Sequence, residues 1–86
     1  MVKLPASSKH YRFTIRGYIS RDYAESFALA CEVRGPLMYE YDPRSGGMTT
    51  FLLSDGGVEP QYDLLTTLRE WKPEQADLNT LNLDIS

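Results

Sequence analysis

Two helical stripes and four short runs that read as strands predict an α+β fold for this 86-residue chain. Three observations carry that expectation. Tyr11, Phe13 and Ile15 alternate with Arg12, Thr14 and Arg16, the period-two pattern of a strand with one wet face. Tyr23, Phe27, Ala30 and Cys31, flanked by Ala24 and Ala28, form an apolar stripe at helical spacing. Between the apolar runs Leu37–Tyr41 and Met48–Leu53 lies Asp42-Pro43-Arg44-Ser45-Gly46-Gly47, which is turn chemistry and marks a hairpin. With a second helix and a last strand, the order is strand, helix, strand, strand, helix, strand. That is the split βαβ, ferredoxin-like βαββαβ arrangement: a four-stranded antiparallel sheet with two helices on one face. This topology hosts many unrelated functions, so it implies none.

Each element has its own signals. Residues 1–9 (MVKLPASSK) hold Pro5 and two serines without periodicity, and read as a flexible leader ahead of a single domain over 10–86. Gly17 interrupts the first strand and marks a bulge that re-aims Tyr18 and Ile19. Ser20 stands where an N-cap belongs, with Asp22 and Glu25 near the positive end of the helix. Arg34, Gly35 and Pro36 read as its stop: a cation, a C′ glycine, then a proline. In the second strand Leu37, Tyr39 and Tyr41 share one face, Met38 and Glu40 the other. Ser54-Asp55-Gly56-Gly57 ends the third strand, and Pro60 suits the first turn of a helix carrying Leu64, Leu65, Leu68 and Trp71 on one side. Lys72-Pro73 ends that helix, Glu74 to Asp77 is a polar connection, and Leu81, Leu83 and Ile85 alternate as the last strand. Right-handed crossovers put the first and third strands at the centre and the other two at the edges.

Charge is divided unevenly along the chain. The first twenty-one residues carry five bases (Lys3, Lys9, Arg12, Arg16, Arg21) and no acid, while the rest carry twelve acids and four bases. Such asymmetry bears on partners rather than on fold. No apolar run approaches the ~20 residues that span a bilayer, and the N-terminus lacks the apolar stretch of a signal peptide, so no membrane role is expected. Cys31, the only cysteine, has no intramolecular disulfide partner, which favours a reducing, cytoplasmic setting.

Catalytic chemistry has little to stand on. His10 is the only histidine, so dyads and imidazole-based metal sites lack a second member. Cys31 belongs to a buried stripe and reads as a small core hydrophobe. Asp42, Asp55, Asp63 and Asp84 have no spacing that brings two of them together. Gly56-Gly57 ahead of a helix suggests a phosphate cradle, but Asp55 and Glu59 lie beside it and the lysine of a P-loop is missing. No enzyme activity, metal or cofactor is expected.

Binding residues are better represented. Six tyrosines exceed what a core this small hides, because each buried hydroxyl needs a partner. Tyr18 follows the bulge, Tyr39 and Tyr41 lie on an edge strand, and Arg44 sits at the hairpin tip beside them. Tyr and Arg are enriched at binding hot spots, and an edge strand offers free backbone groups. Trp71, closing the second stripe, reads as core. The expected function is therefore a small non-catalytic protein-binding module, an adaptor, regulator or inhibitor, contacting its protein partner through Arg12, Arg16, Tyr18, Tyr39, Tyr41 and Arg44. One concrete form is a phage or mobile-element inhibitor of a host enzyme. Nucleic-acid binding through the basic first strand is the alternative. It is disfavoured because the outward positions of that strand are Arg, Thr and Arg rather than stacking aromatics, and because the remaining surface is acidic. A third alternative is a small-ligand-sensing dimer. A homodimer through edge strand 37–41 is compatible with the sequence, whose Leu37-Met38-Tyr39 lacks the lysine that blocks pairing.

Overall fold

The computed structural model describes residues 9–86; residues 1–8, which make up most of the expected leader, lie outside the described residues. The elements are β1 (His10–Gly17), α1 (Arg21–Ala30), β2 (Leu37–Asp42), β3 (Met48–Ser54), α2 (Leu64–Trp71) and β4 (Ala76–Ile85), with a 3-10 turn at Pro43–Ser45. All four strands form one antiparallel sheet in the order β2-β3-β1-β4, the ferredoxin-like arrangement. The β1–β3 register pairs Phe13 with Phe51 and Tyr11 with Leu53, so alternate residues of both central strands turn to the same face. That face buries Phe13, Ile15, Phe51 and Leu53 against Ala24, Phe27 and Ala28 of α1 and Leu64 and Leu68 of α2. Phe13 stacks on Phe51 at 4.7 Å, and Phe27 meets Phe13 edge-on at 5.7 Å. Aromatic pairs in these geometries add to area burial.

Several boundaries differ from the sequence expectation, each for a local reason. Helix α1 ends at Ala30, ahead of the Arg34-Gly35-Pro36 stop, with Glu32 in the left-handed region at φ 58°. Glu32 N–H donates to the Leu29 carbonyl and Val33 N–H to the Ala28 carbonyl, the paired bonds of a Schellman cap. Buried Val33 packs in the core with Ala28, supplying the apolar contact that accompanies this cap, while Ala30 is exposed. Gly35 serves packing instead: a Cβ there would lie 2.0 Å from the Ser54 carbonyl oxygen. Helix α2 starts at Leu64 rather than near Pro60, because the Asp63 carboxylate accepts from Leu65 N–H and the Thr66 hydroxyl and makes the better cap. The phosphate cradle suggested at Gly56-Gly57 is corrected by the same start, since no helix follows those glycines closely.

Strand β4 begins at Ala76, inside the segment expected to be a polar connection. Its partner on β1 jumps from Asn82 opposite Thr14 to Asp77 opposite Arg16, and the bulge between them breaks the alternation that would have revealed the strand. Within the bulge Asn79 N–H donates to the Asp77 carboxylate, and the Thr80 hydroxyl donates to the Asp77 carbonyl while accepting from Arg16 N–H. Lys9, assigned to the leader, is tied down: its N–H donates to the Asp55 carboxylate and its carbonyl accepts from Asp55 N–H.

Candidate interaction site

The turn between β1 and α1 carries Tyr18, and five hydrogen bonds hold that turn. Gly17 N–H donates to the Gly47 carbonyl and Tyr18 N–H to the Gln75 carbonyl, both at 2.7 Å. The buried Thr49 hydroxyl donates to the Gly17 carbonyl at 2.6 Å and accepts from Ile19 N–H at 3.2 Å. The Tyr39 hydroxyl donates to the Ile19 carbonyl. Gly17 itself has φ 114°, and a Cβ there would meet the Gln75 carbonyl oxygen at 2.3 Å, so only glycine fits. Tyr39 of β2, Thr49 of β3, Gly47 just before β3 and Gln75 just before β4 thus all grip this turn.

What the turn presents is aromatic. Tyr18 keeps 42% of its surface exposed and meets Tyr41 edge-on at 5.0 Å. Across a depression of about 370 Å³ lie Tyr23 and Trp71, themselves edge-on at 5.3 Å, with Lys72 and Glu74 at its border. The Tyr23 hydroxyl donates to the Trp71 carbonyl, locking α1 to the end of α2. Trp71, expected in the core, lies instead at the rim with 36% of its surface exposed, its ring 5.6 Å from that of Phe27. Left-handed Lys72 ends α2 directly after it, and the residues that follow, Pro73 to Gln75, complete the lining of the depression. The result is an aromatic pole at the β1–α1 turn: Tyr18, Tyr23 and Trp71 line the depression, and Tyr41 joins them through its edge-on contact with Tyr18.

The other candidate residues are distributed around it. Tyr39 faces the helices half-buried, its hydroxyl spent on Ile19; burial, then the neighbouring Tyr18 and Tyr41, push its pKa up. Tyr41 is half-buried on the same face and reaches the pole through Tyr18. Arg44 is exposed in the 3-10 turn, where its N–H donates to the Asp42 carboxylate. Arg12 and Arg16 lie on the opposite, open face of the sheet, where the register sets Arg12 against Asp84 and Arg16 against Asp77. The described residues contain one ion pair within 4 Å, Arg21 with Glu25 on the surface of α1. Side chains on the open face of the two central strands include His10, Thr14, Thr50 and Leu52 with the arginines, and no Phe, Tyr or Trp. Tyr23, Trp71 and Thr49 were not singled out by sequence reasoning. Tyr23 and Trp71 looked like stripe residues, and nothing in a strand sequence marks one threonine as a clamp.

Reactive chemistry is weakly supported. Burial pushes the Cys31 thiol up, outweighing a hydrogen bond from Thr67, so the thiolate is disfavoured. Asp55 is the buried carboxylate: burial pushes it up, but N–H donors from Gly57 and Lys9, the Tyr11 hydroxyl and the Lys9 charge outweigh burial and leave it below the usual range. Its lone pairs are occupied by the fold itself. Among the described residues no three His, Cys, Asp or Glu side chains gather as metal ligands. No described helix is long and apolar enough to cross a membrane.

Comparison with known proteins adds no further constraint. The chain matches no family model, no curated protein and no solved structure.

Proposed function

We propose that this chain is a small non-catalytic protein-binding module, an adaptor or inhibitor that engages a larger protein in the cytoplasm through its aromatic pole. The observation that carries this reading is the presentation of Tyr18. An exposed aromatic on a turn held by five hydrogen bonds loses little conformational entropy on binding. Trp71 and Tyr23 beside it, around a shallow depression, have the composition of a binding hot spot. Arg44 and the half-buried Tyr41 extend the surface. The free, buried Cys31 supports the cytoplasmic setting.

Arg12 and Arg16 have the place of peripheral contacts in this reading. Each faces an acid in register, which moderates the positive potential that phosphate binding needs. The test is a tagged pull-down from cell lysate with and without nuclease, followed by affinity measurement on the captured protein. Support would be one stoichiometric protein that survives nuclease and binds Tyr18→Ala about tenfold or more weaker. Partners that vanish with nuclease, or an affinity that Arg12→Ala and Arg16→Ala reduce while Tyr18→Ala does not, would replace it with nucleic-acid binding on the open face.

A further inference from the structure

The two edges of the sheet are treated differently. At one edge, β4 is interrupted by the bulge between Asp77 and Asn82, a device that prevents a foreign strand from pairing along it. At the other, β2 runs from Leu37 to Asp42 with no bulge, proline or lysine. Among the described residues the backbone bonds of β2 run to β3 alone, leaving its outer row of N–H and C=O groups open. Met38 is 65% exposed along this edge. A groove of about 490 Å³ follows the strand, lined by Arg12, Arg21, Met38, Glu40 and Leu52 among others.

We infer that two copies of this chain pair antiparallel along the free edge of β2, centred on Tyr39, and join their sheets into one. Three features select a second copy as the occupant. First, a two-fold pairing centred on Tyr39 sets Leu37 opposite the partner's Tyr41 and Met38 opposite the partner's Glu40, so no like charges face each other. Centring on Glu40 would oppose two glutamates, and centring on Met38 would pair only a short stretch of strand. Second, the charges are complementary. Each copy delivers its Glu40 beside Met38 of the other, into a groove holding two arginines and one glutamate. The Arg21–Glu25 pair is exposed and weak, leaving Arg21 free to reorient. Third, the Tyr39 side chain points to the helices with its hydroxyl already bonded, so pairing at this residue needs backbone alone and strands no polar group.

This pairing is independent of the aromatic pole, and its test is separate. Sedimentation equilibrium of the chain from micromolar to millimolar concentration should show a monomer–dimer curve, with amide exchange across Leu37–Asp42 slowing as the dimer forms. Met38→Lys sets a charge on the edge, and Glu40→Arg turns attraction to Arg12 and Arg21 into repulsion. Each should raise the dimer Kd about tenfold or more while leaving the circular dichroism unchanged. A monomer throughout the range would overturn the inference. So would a dimer that both variants leave intact, or one whose protected amides lie outside β2. Because the exchange measurement uses the unaltered chain, it remains decisive if a variant fails to fold. Loss of the dimer with capture of a partner intact would separate this inference from the proposed function.

Discussion

Thr49 shows how one side chain can organise a surface it does not touch. Fully buried, it joins β3 to the β1–α1 turn by giving its proton to the Gly17 carbonyl and taking one from Ile19 N–H. Thr49→Val keeps the shape and strands both backbone groups, so it is expected to cost about 2 kcal/mol in urea unfolding. It should also weaken partner binding more than stability alone explains, because Tyr18 loses its fixed position. Asp55 plays the equivalent part at the opposite end of β1, where it gathers Lys9, Tyr11 and Gly57. Asp55→Ala should cost about 3 kcal/mol, whereas Asp55→Asn, which still accepts from two N–H groups, should cost less. Three aspartates also set the acid limit. The Ser45 hydroxyl and Arg44 N–H hold Asp42 below its ordinary value, and the Thr66 hydroxyl does the same for Asp63. At Asp55 the hydrogen bonds outweigh burial in the same direction. Because folding lowers these values, their contribution is complete above about pH 4 and is lost as pH falls through the folded-state values. Urea midpoints should therefore decline as the pH is taken below about 4. A flat profile there would contradict the hydrogen bonds described. Tyr11, Tyr23 and Tyr39 shift the other way, chiefly through burial, so their contribution is present at neutral pH and lost above about pH 10.

Among the elements, α1 and its exit are the most instructive. The Ser20 cap was legible because its hydroxyl needs only the N–H three residues on, and the structure has that bond at 3.1 Å. The exit was misplaced because Gly35 resembles a C′ glycine, while the residue in the left-handed conformation is Glu32. A non-glycine residue there is strained, so Glu32→Gly should stabilise the protein by about 1 kcal/mol in thermal or urea unfolding. Gly35→Ala should do the reverse, by about 3 kcal/mol, because its Cβ would collide with backbone rather than a flexible side chain. Strand β4 was legible over Leu81–Ile85; Ala76–Thr80 alternates too, but the bulge puts it out of phase with the residues that follow, so the two halves do not read as one strand. Trp71 sits at the correct helical spacing for the core, but it is the last residue of α2 and keeps 36% of its surface exposed.

At the scale of the whole molecule, the charge division along the chain does not become two charged faces among the described residues. Arg12 and Arg16 of the basic segment lie in register with Asp84 and Asp77 of the acidic one, because the topology places β1 beside β4. Binding through the aromatic pole should therefore weaken only modestly with added salt, whereas phosphate binding would fall steeply. Salt titration of the captured complex distinguishes the two.

The local pattern by itself determined the element order and the antiparallel sheet. In β1 and β2 it also determined which residues share a face, since periodicity acts between near neighbours in the chain; the structure decided that Tyr11, Phe13 and Ile15 turn to the helices, and which of the adjacent Phe51, Leu52 and Leu53 of β3 do so. Only the tertiary structure decided where Tyr18, Tyr23, Tyr41 and Trp71 meet. They come from four separate elements and turns, and their meeting depends on the left-handed exit at Lys72 and the Thr49 clamp. Packing across the sheet, and not any spacing along the chain, sets these contacts.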